Sequence, residues 1–298
     1  MLTTIIPPLR PQVGSVCAVG CSRRIRRWLL LGLATACLLG ITVGSVAARG
    51  IPARVQATQE LVVLLTAHGA HREPGVWSPQ VSFVLANRPI TGEQTTLPVI
   101  GHSSGLGGAR WLQVMLPGRP DGSTGWIAQD GTRELMTGWR IVVDLAARRL
   151  RVYHDGRMVR TFQAVIGKPS TPTPTGQFFV EETVQMPVGH PGGPFALALS
   201  ARSNVLQKFE GGPGQIAIHG REDLGGTLGA AESHGCVRLA TASIDWLAAR
   251  IDPGTPVKIY AGRSLGADQP GTFTVRVKEW RESRRRIRSR SPSRRSPR

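Results

Sequence analysis

Between Ile218 and Leu239 the sequence gathers His219, Ser233, His234, Gly235 and Cys236, more reactive side chains than any other stretch of the 298 residues. Cys236 is the only cysteine after Cys37, so thiol chemistry in the folded part has one address. A thiolate attacks carbonyls well, but a free cysteine has a pKa of about 8.5 and stays mostly protonated near neutrality, so it needs a base. Two histidines offer one. His234 lies two residues before Cys236, where a strand points both side chains to one face with little freedom to reach each other. His219 ends an expected strand, Gln215-Ile216-Ala217-Ile218, and a neighbouring strand can present its ring directly across. The sequence therefore favours His219 as base and His234 as a residue hydrogen-bonded within the turn. The other ring N–H of the base needs an acceptor, and Glu222, Asp223 and the Gly220 carbonyl are all close in sequence. Gly235 before the nucleophile suits a sharp turn in which amides of residues 234 to 236 face a developing oxyanion.

These residues need a scaffold, and the patterning predicts a mostly β one. Gln59 to Ala67 and Val81 to Ala86 read as short apolar strands followed by Gly- and Pro-rich turns. Arg110 to Leu116 alternates, Pro117 to Gly125 turns, and Trp126-Ile127-Ala128 begins another strand. Short strands joined by tight turns predict a small β-barrel over residues 59–137. Its strand, turn, Gly125-Trp126-Ile127 pattern resembles bacterial SH3-like modules. The character changes at Trp139, and residues 139–262 read as a second, mostly β domain. Arg140 to Leu145, Arg149 to Tyr153 and Met158 to Phe162 are extended, with a hairpin signal at Asp155-Gly156. The prolines of Ser170 to Gly176 fix φ and withhold donors, predicting a stiff loop outside any sheet. A longer loop through Pro187, Pro191, Gly192, Gly193 and Pro194 is placed to cover a groove. Thr241 is the expected N-cap of a short helix after Cys236, with Ile244, Leu247, Ala248 and Ile251 on one face, ending near Asp252-Pro253-Gly254. Val257 to Tyr260 reads as a closing strand and Thr272 to Val277 as one more.

The ends of the chain carry most of its +18 charge. Residues 1–27 hold five arginines and no acid, and residues 279–298 hold nine arginines against two glutamates. The second of these, rich in Arg, Ser and Pro with little to bury, reads as disordered. From Trp28 to Ala48 the sequence is uncharged and apolar for 21 residues, close to the ~20 that span a bilayer as a helix. The preceding arginines would hold the N-terminus in the cytoplasm and place everything after Arg49 outside. The run is long for a signal peptide, which favours an anchor, while Ser45-Val46-Ala47-Ala48 offers a cleavage site. Cys17, Cys21 and Cys37 all precede the exported part, so it has no disulfide framework and its single thiol needs a reason to persist in an oxidising compartment.

Ile218-His219-Gly220 followed by Ser233-His234-Gly235-Cys236-Val237-Arg238-Leu239 resembles the signature of L,D-transpeptidases of the YkuD family. Val143-Asp144-Leu145, Tyr153-His154-Asp155-Gly156 and Pro172-Thr173-Pro174-Thr175-Gly176 fit the same family, so the likeness runs from about Trp139 to Tyr260. The resemblance implies a mostly β catalytic domain with Cys236 as acylated nucleophile, His219 as general base and the Gly220 carbonyl as the third catalytic element. Ser233, His234, Gly235 and Arg238 are the implied substrate-binding residues. It further implies peptidoglycan stem peptides as donor and acceptor, a cysteine thioester intermediate, a 3→3 crosslink as product, no cofactor and no metal, and an extracytoplasmic location.

Other readings compete. Water taking the thioester would make the protein an L,D-carboxypeptidase trimming tetrapeptide stems. A zinc site would recruit His219, His234 and Cys236, although a structural site usually needs four ligands. A non-catalytic cell-wall-binding protein would leave Cys236 merely buried. The basic tail is expected to meet anionic wall polymers or a membrane surface, or only solvent, and no nucleic acid is expected as partner.

Overall fold

The computed structural model describes residues 55–209 and 211–262. The basic segment 1–27, the apolar run 28–48, the strand expected at Thr272 to Val277 and the Arg/Ser/Pro tail 279–298 lie outside the described residues. What is described is mostly β with one short helix. Among the described residues no helix is long and apolar enough to cross a membrane.

Seven strands precede Gly138: β1 (Gln59–Leu64), β2 (His68–His71), β3 (Gln80–Val84), β4 (Thr96–Ser104), β5 (Arg110–Met115), β6 (Thr124–Ala128) and β7 (Thr132–Thr137). They form one sheet in the order β3-β2-β6-β5-β4-β1-β7. Every pairing in it is antiparallel, and Val62, Leu64, Leu97, Leu112, Val114 and Ile127 are buried in its core. β4 overturns the expected turns in this stretch. Pro98 and Gly101 argue against a strand, but the register shifts between Val99 and Gly101, and a bulge is where a sheet tolerates such residues.

The second sheet contains β8 (Trp139–Asp144), β9 (Arg149–His154), β10 (Arg157–Gln163), β12 (Gly176–Gln185), β13 (Phe195–Arg202), β14 (Gln215–His219), β16 (Val237–Arg238) and β17 (Pro256–Tyr260). Its order is β10-β9-β8-β17-β12-β13-β14-β16. The β9–β10 connection is tight because Asp155 and Gly156 both take positive φ, 48° and 74°, the backbone that matches strand twist in a two-residue hairpin. A separate parallel pair joins β11 (Ile166–Gly167) to β15 (Ala231–Ser233).

The helix α1 (Thr241–Ala248) packs Ile244 and Leu247 into the second core. Its cap differs from the expectation. Ala240 holds the N-cap position and no side chain bonds there, so Thr241 is the first helical residue. The helix also stops before Ile251, which is buried just beyond it.

The two sheets are not insulated from each other. Phe179, from β12, is fully buried in the core of the first sheet, and a Cβ on Gly254 would strike Thr96 and Leu61.

Candidate active site

β14 and β16 run parallel, Ile218 opposite Val237 and His219 opposite Arg238. Ile218 and Val237 are fully buried, so the alternation of side chains sends His219 and Arg238 to the other face. Cys236, immediately before Val237 and just outside the strand, is half-buried. The end of the pair is tied by Leu239 N–H donating to the His219 carbonyl at 2.9 Å. The parallel pair thus sets the strand that ends in His219 against the residues that directly follow Cys236.

His219 Nδ1 lies 2.5 Å from the Gly220 carbonyl oxygen. A carbonyl only accepts, so Nδ1 carries the proton and Nε2 is the basic nitrogen. Glu222 and Asp223 are exposed, and the backbone of Glu222 does something else: its carbonyl accepts from Gly192 N–H at 2.9 Å. That bond lays the loop before β13 over the site. The backbone is so close there that a Cβ on Gly192 would come within 2.8 Å of His219 Nδ1, and one on Gly220 would fall on the Gly193 carbonyl. Burial lowers the pKa of His219 to about 4, the Gly220 and Gly192 carbonyls push it up, and the charges of Arg238 and His190 push it further down. The ring is therefore neutral at pH 7.

Ser233, not His234, closes the turn before the cysteine. Ser233 is fully buried, and its Oγ donates to the Cys236 carbonyl at 2.6 Å and accepts from Gly235 N–H at 3.1 Å. The Gly235 amide is thus committed within the turn and is not one of the oxyanion donors expected from sequence. His234 is exposed, its ring stacked against Phe209 with centroids 5.7 Å apart. Gly235 has φ +122°, a backbone that favours glycine, and a Cβ there would also press on Ile216 Cδ1 at 3.0 Å.

Sequence reasoning missed what holds this turn from behind. Thr173 Oγ1 donates to the Gly235 carbonyl at 2.8 Å and accepts from Gly167 N–H at 2.9 Å. Thr171 Oγ1 and Lys168 N–H both reach the Ser233 carbonyl, at 3.2 and 3.0 Å. The stiff Pro/Thr loop is a clamp on the cysteine turn. Arg238 donates from Nη1 to the Leu224 carbonyl at 3.3 Å and leaves its buried Nε without a partner. Among the described residues no three His, Cys, Asp or Glu side chains gather as a metal ion would need.

The turn thus presents a half-buried thiol, and the neighbouring strand ends in a neutral imidazole with its tautomer fixed. Residues 138–259 match the YkuD family model, the L,D-transpeptidase catalytic domain. The chain is similar to the L,D-transpeptidase YkuD of Bacillus licheniformis, 33% identical over 121 residues, covering 41% of this chain and 65% of that protein. The chain therefore spans just under two thirds of that relative. L,D-transpeptidase 1 of Mycobacterium tuberculosis is 24% identical over 269 residues, covering 80% of this chain and 99% of that one. A solved structure of an L,D-transpeptidase from Mycobacterium smegmatis is 20% identical, covers 55% of this chain and 99% of its own, and superposes with a TM-score of 0.32.

Proposed function

We propose that this protein is an L,D-transpeptidase that forms 3→3 crosslinks in peptidoglycan through a thioester on Cys236. The observation that supports the reading is the parallel pairing of β14 with β16, which sets the strand ending in His219 against the residues that follow Cys236, while His219 Nδ1 is committed to Gly220 and Nε2 is left basic.

The steps balance without a cofactor. As Cys236 attacks the carbonyl before the terminal D-residue of a donor stem, His219 Nε2 accepts the thiol proton and passes it to the departing amine. The stem is then held as a thioester. A side-chain amine of a second stem attacks it, His219 takes the proton from that amine, and the thiolate is expelled and reprotonated. Ser233 and Gly235 fix the turn that aims the thiol, and Arg238 and the exposed His234 flank the substrate path. The extracytoplasmic placement, through residues 28–48 as anchor or cleaved signal, and the SH3-like identity of residues 59–137 belong to the same proposal.

The test is intact mass after incubation with a peptidoglycan tetrapeptide, for wild type and Cys236→Ala. An adduct on wild type alone, with crosslinked dimer in solution, is the expected result. Tripeptide without dimer would replace the reading with a carboxypeptidase, and a folded protein giving neither adduct nor product would sink it.

A further inference from the structure

Two adjacent glutamates on β12, Glu181 and Glu182, have side chains 0% and 1% exposed. Consecutive strand residues normally point to opposite faces, but the β12–β13 register shifts between Val180 and Glu182, and both carboxylates end on one cation. Arg88, from the first sheet's β3–β4 connection, bonds Glu181 Oε2 through Nη2 and lies 3.6 Å from Glu182 Oε1 through Nε. Thr91, from the same connection, donates its N–H and its hydroxyl to Glu182 Oε2, each at 3.0 Å.

Glu181 does not stop at Arg88. Its Oε1 accepts from Arg202 Nη2 at 3.0 Å and its Oε2 from Gln215 Nε2 at 3.3 Å. Arg202 and Gln215 sit opposite each other where the β13–β14 register slips: Ala198 pairs with Ala217, yet the next pair is Arg202 with Gln215. Such a bulge frees carbonyls from the ladder, and freed carbonyls in a core need donors. The same two side chains supply them. Arg202 Nη1 bonds the Leu199 and Ala201 carbonyls at 2.8 and 3.2 Å, and Gln215 Nε2 bonds Leu199 at 3.0 Å. Glu181 orients both donors, and β14, which begins at Gln215, ends at His219.

We infer that Arg88 is a positioning residue for His219, acting through Glu181, Arg202 and Gln215 to fix the bulge that sets the register of β14. Two buried carboxylates against two buried guanidinium groups form a balanced set; removing Arg88 leaves an uncompensated buried charge, which is far more disruptive than losing a surface pair. A one-residue slip of β14 would turn every side chain on it to the opposite face, taking His219 away from Cys236. The first sheet is then part of the catalytic unit, supplying a charge that the second sheet lacks. This inference rests on His219 being the base, as proposed above.

The test compares the full chain with Arg88→Met, with Arg88→Lys and with Leu61→Ala, which weakens the same inter-sheet contact at Gly254 without touching the charge network. Hydrogen exchange of the β14 amides is the primary readout and the rate of acyl-enzyme formation the second. Arg88→Met is expected to lose roughly tenfold of protection in β14 while β8 and β9 keep theirs, and to acylate roughly tenfold more slowly at saturating tetrapeptide with little change in KM. Arg88→Lys keeps the charge without the planar fork that spans both carboxylates; its loss is intermediate, and it stands in should Arg88→Met fail to fold. Leu61→Ala lowers Tm and leaves β14 protected relative to its neighbours. Unchanged β14 protection in the Arg88 variants, or equal loss in Leu61→Ala, overturns the inference. Absence of any acyl-enzyme on wild type would overturn the proposed reaction instead, and hydrogen exchange would still decide the role of Arg88.

Discussion

His219 and Arg238 stand opposite each other in the parallel pair of β14 and β16, so a permanent positive charge lies beside the ring proposed as base. Burial and that charge both disfavour the imidazolium, bringing the pKa of His219 to about 4. The resting site therefore holds a neutral ring, free to accept a proton in the proposed reaction. The rate of acyl-enzyme formation against pH, at low substrate, reports groups of the free protein. It is expected to hold from pH 7 down to about 5 and to fall with a midpoint near the ring's value of about 4. Arg238→Gln removes a cation and moves that acid limb to higher pH. A limb that stays put, or moves lower, would show that Arg238 does not act on the ring.

Thr173 is the hinge pin of the loop that backs the cysteine turn, giving one hydrogen bond to Gly235 and receiving one from Gly167. Thr173→Val keeps the shape and removes both bonds, leaving a buried carbonyl and a buried amide unpaired at about 1–3 kcal/mol each. A clear drop in Tm together with roughly tenfold slower acylation is expected, with Thr173→Ser close to wild type. Thr175, exposed in the same loop, is the control: Thr175→Val should change neither. Equal effects at both positions would mean that loop stiffness, not the Gly235 bond, is what counts.

Gly220 is a glycine because of its neighbour, since a methyl there would fall on the Gly193 carbonyl oxygen. Its φ is not in the left-handed region, so Gly220→Ala tests that close approach and not backbone freedom. The loop before β13 must lift away, releasing the bond from Gly192 N–H to Glu222 and opening His219 to water. Loss of burial raises the pKa of the ring. The variant should acylate slowly and show an acid limb displaced towards 6.5; unaltered kinetics would mean that the loop does not control the environment of His219.

Much of this was legible before any coordinates. The strand leading to His219 could be read because a two-residue period of apolar side chains speaks directly of strands. The Asp155-Gly156 hairpin was legible because few residue pairs accept its backbone. β13 escaped notice, as did β4, because Pro98, Gly101 and the proline-rich lead-in to Phe195 are local signals for turns, while the reasons those segments extend are partners far along the chain. The bonding within the cysteine turn was hidden in the same way, since Ser233 closes that turn through the Gly235 amide and the Cys236 carbonyl. The partners of Thr173 and Arg88 are invisible to a linear reading, because Gly235 and Glu181 lie tens of residues away.

The acid stability of the fold carries a second signature of His219. Its folded pKa, about 4, lies below its ordinary 6.5, so between these values the unfolded chain binds a proton that the folded chain refuses. Stability then rises with pH across that window and is lost as pH falls through it, by at most about 3 kcal/mol from this one group. Glu181 works in the opposite sense. Burial raises its pKa despite Arg202 and Arg88, so its contribution is greatest in acid and diminishes as pH rises above 4.5. Asp144, lowered by its bonds to Tyr260, Ala147 and Arg151 against the effect of burial, loses its contribution only below about 4. A bare stability profile mixes these signs, and the difference between wild type and His219→Gln isolates the ring. Urea unfolding at steps from pH 4 to pH 7 should show the variant gaining on wild type as pH falls, with the two curves parallel above 6.5. A difference that does not change between pH 4 and 6.5 would mean that the ring titrates at its ordinary value, and that burial beneath the Gly192 loop does not hold it neutral.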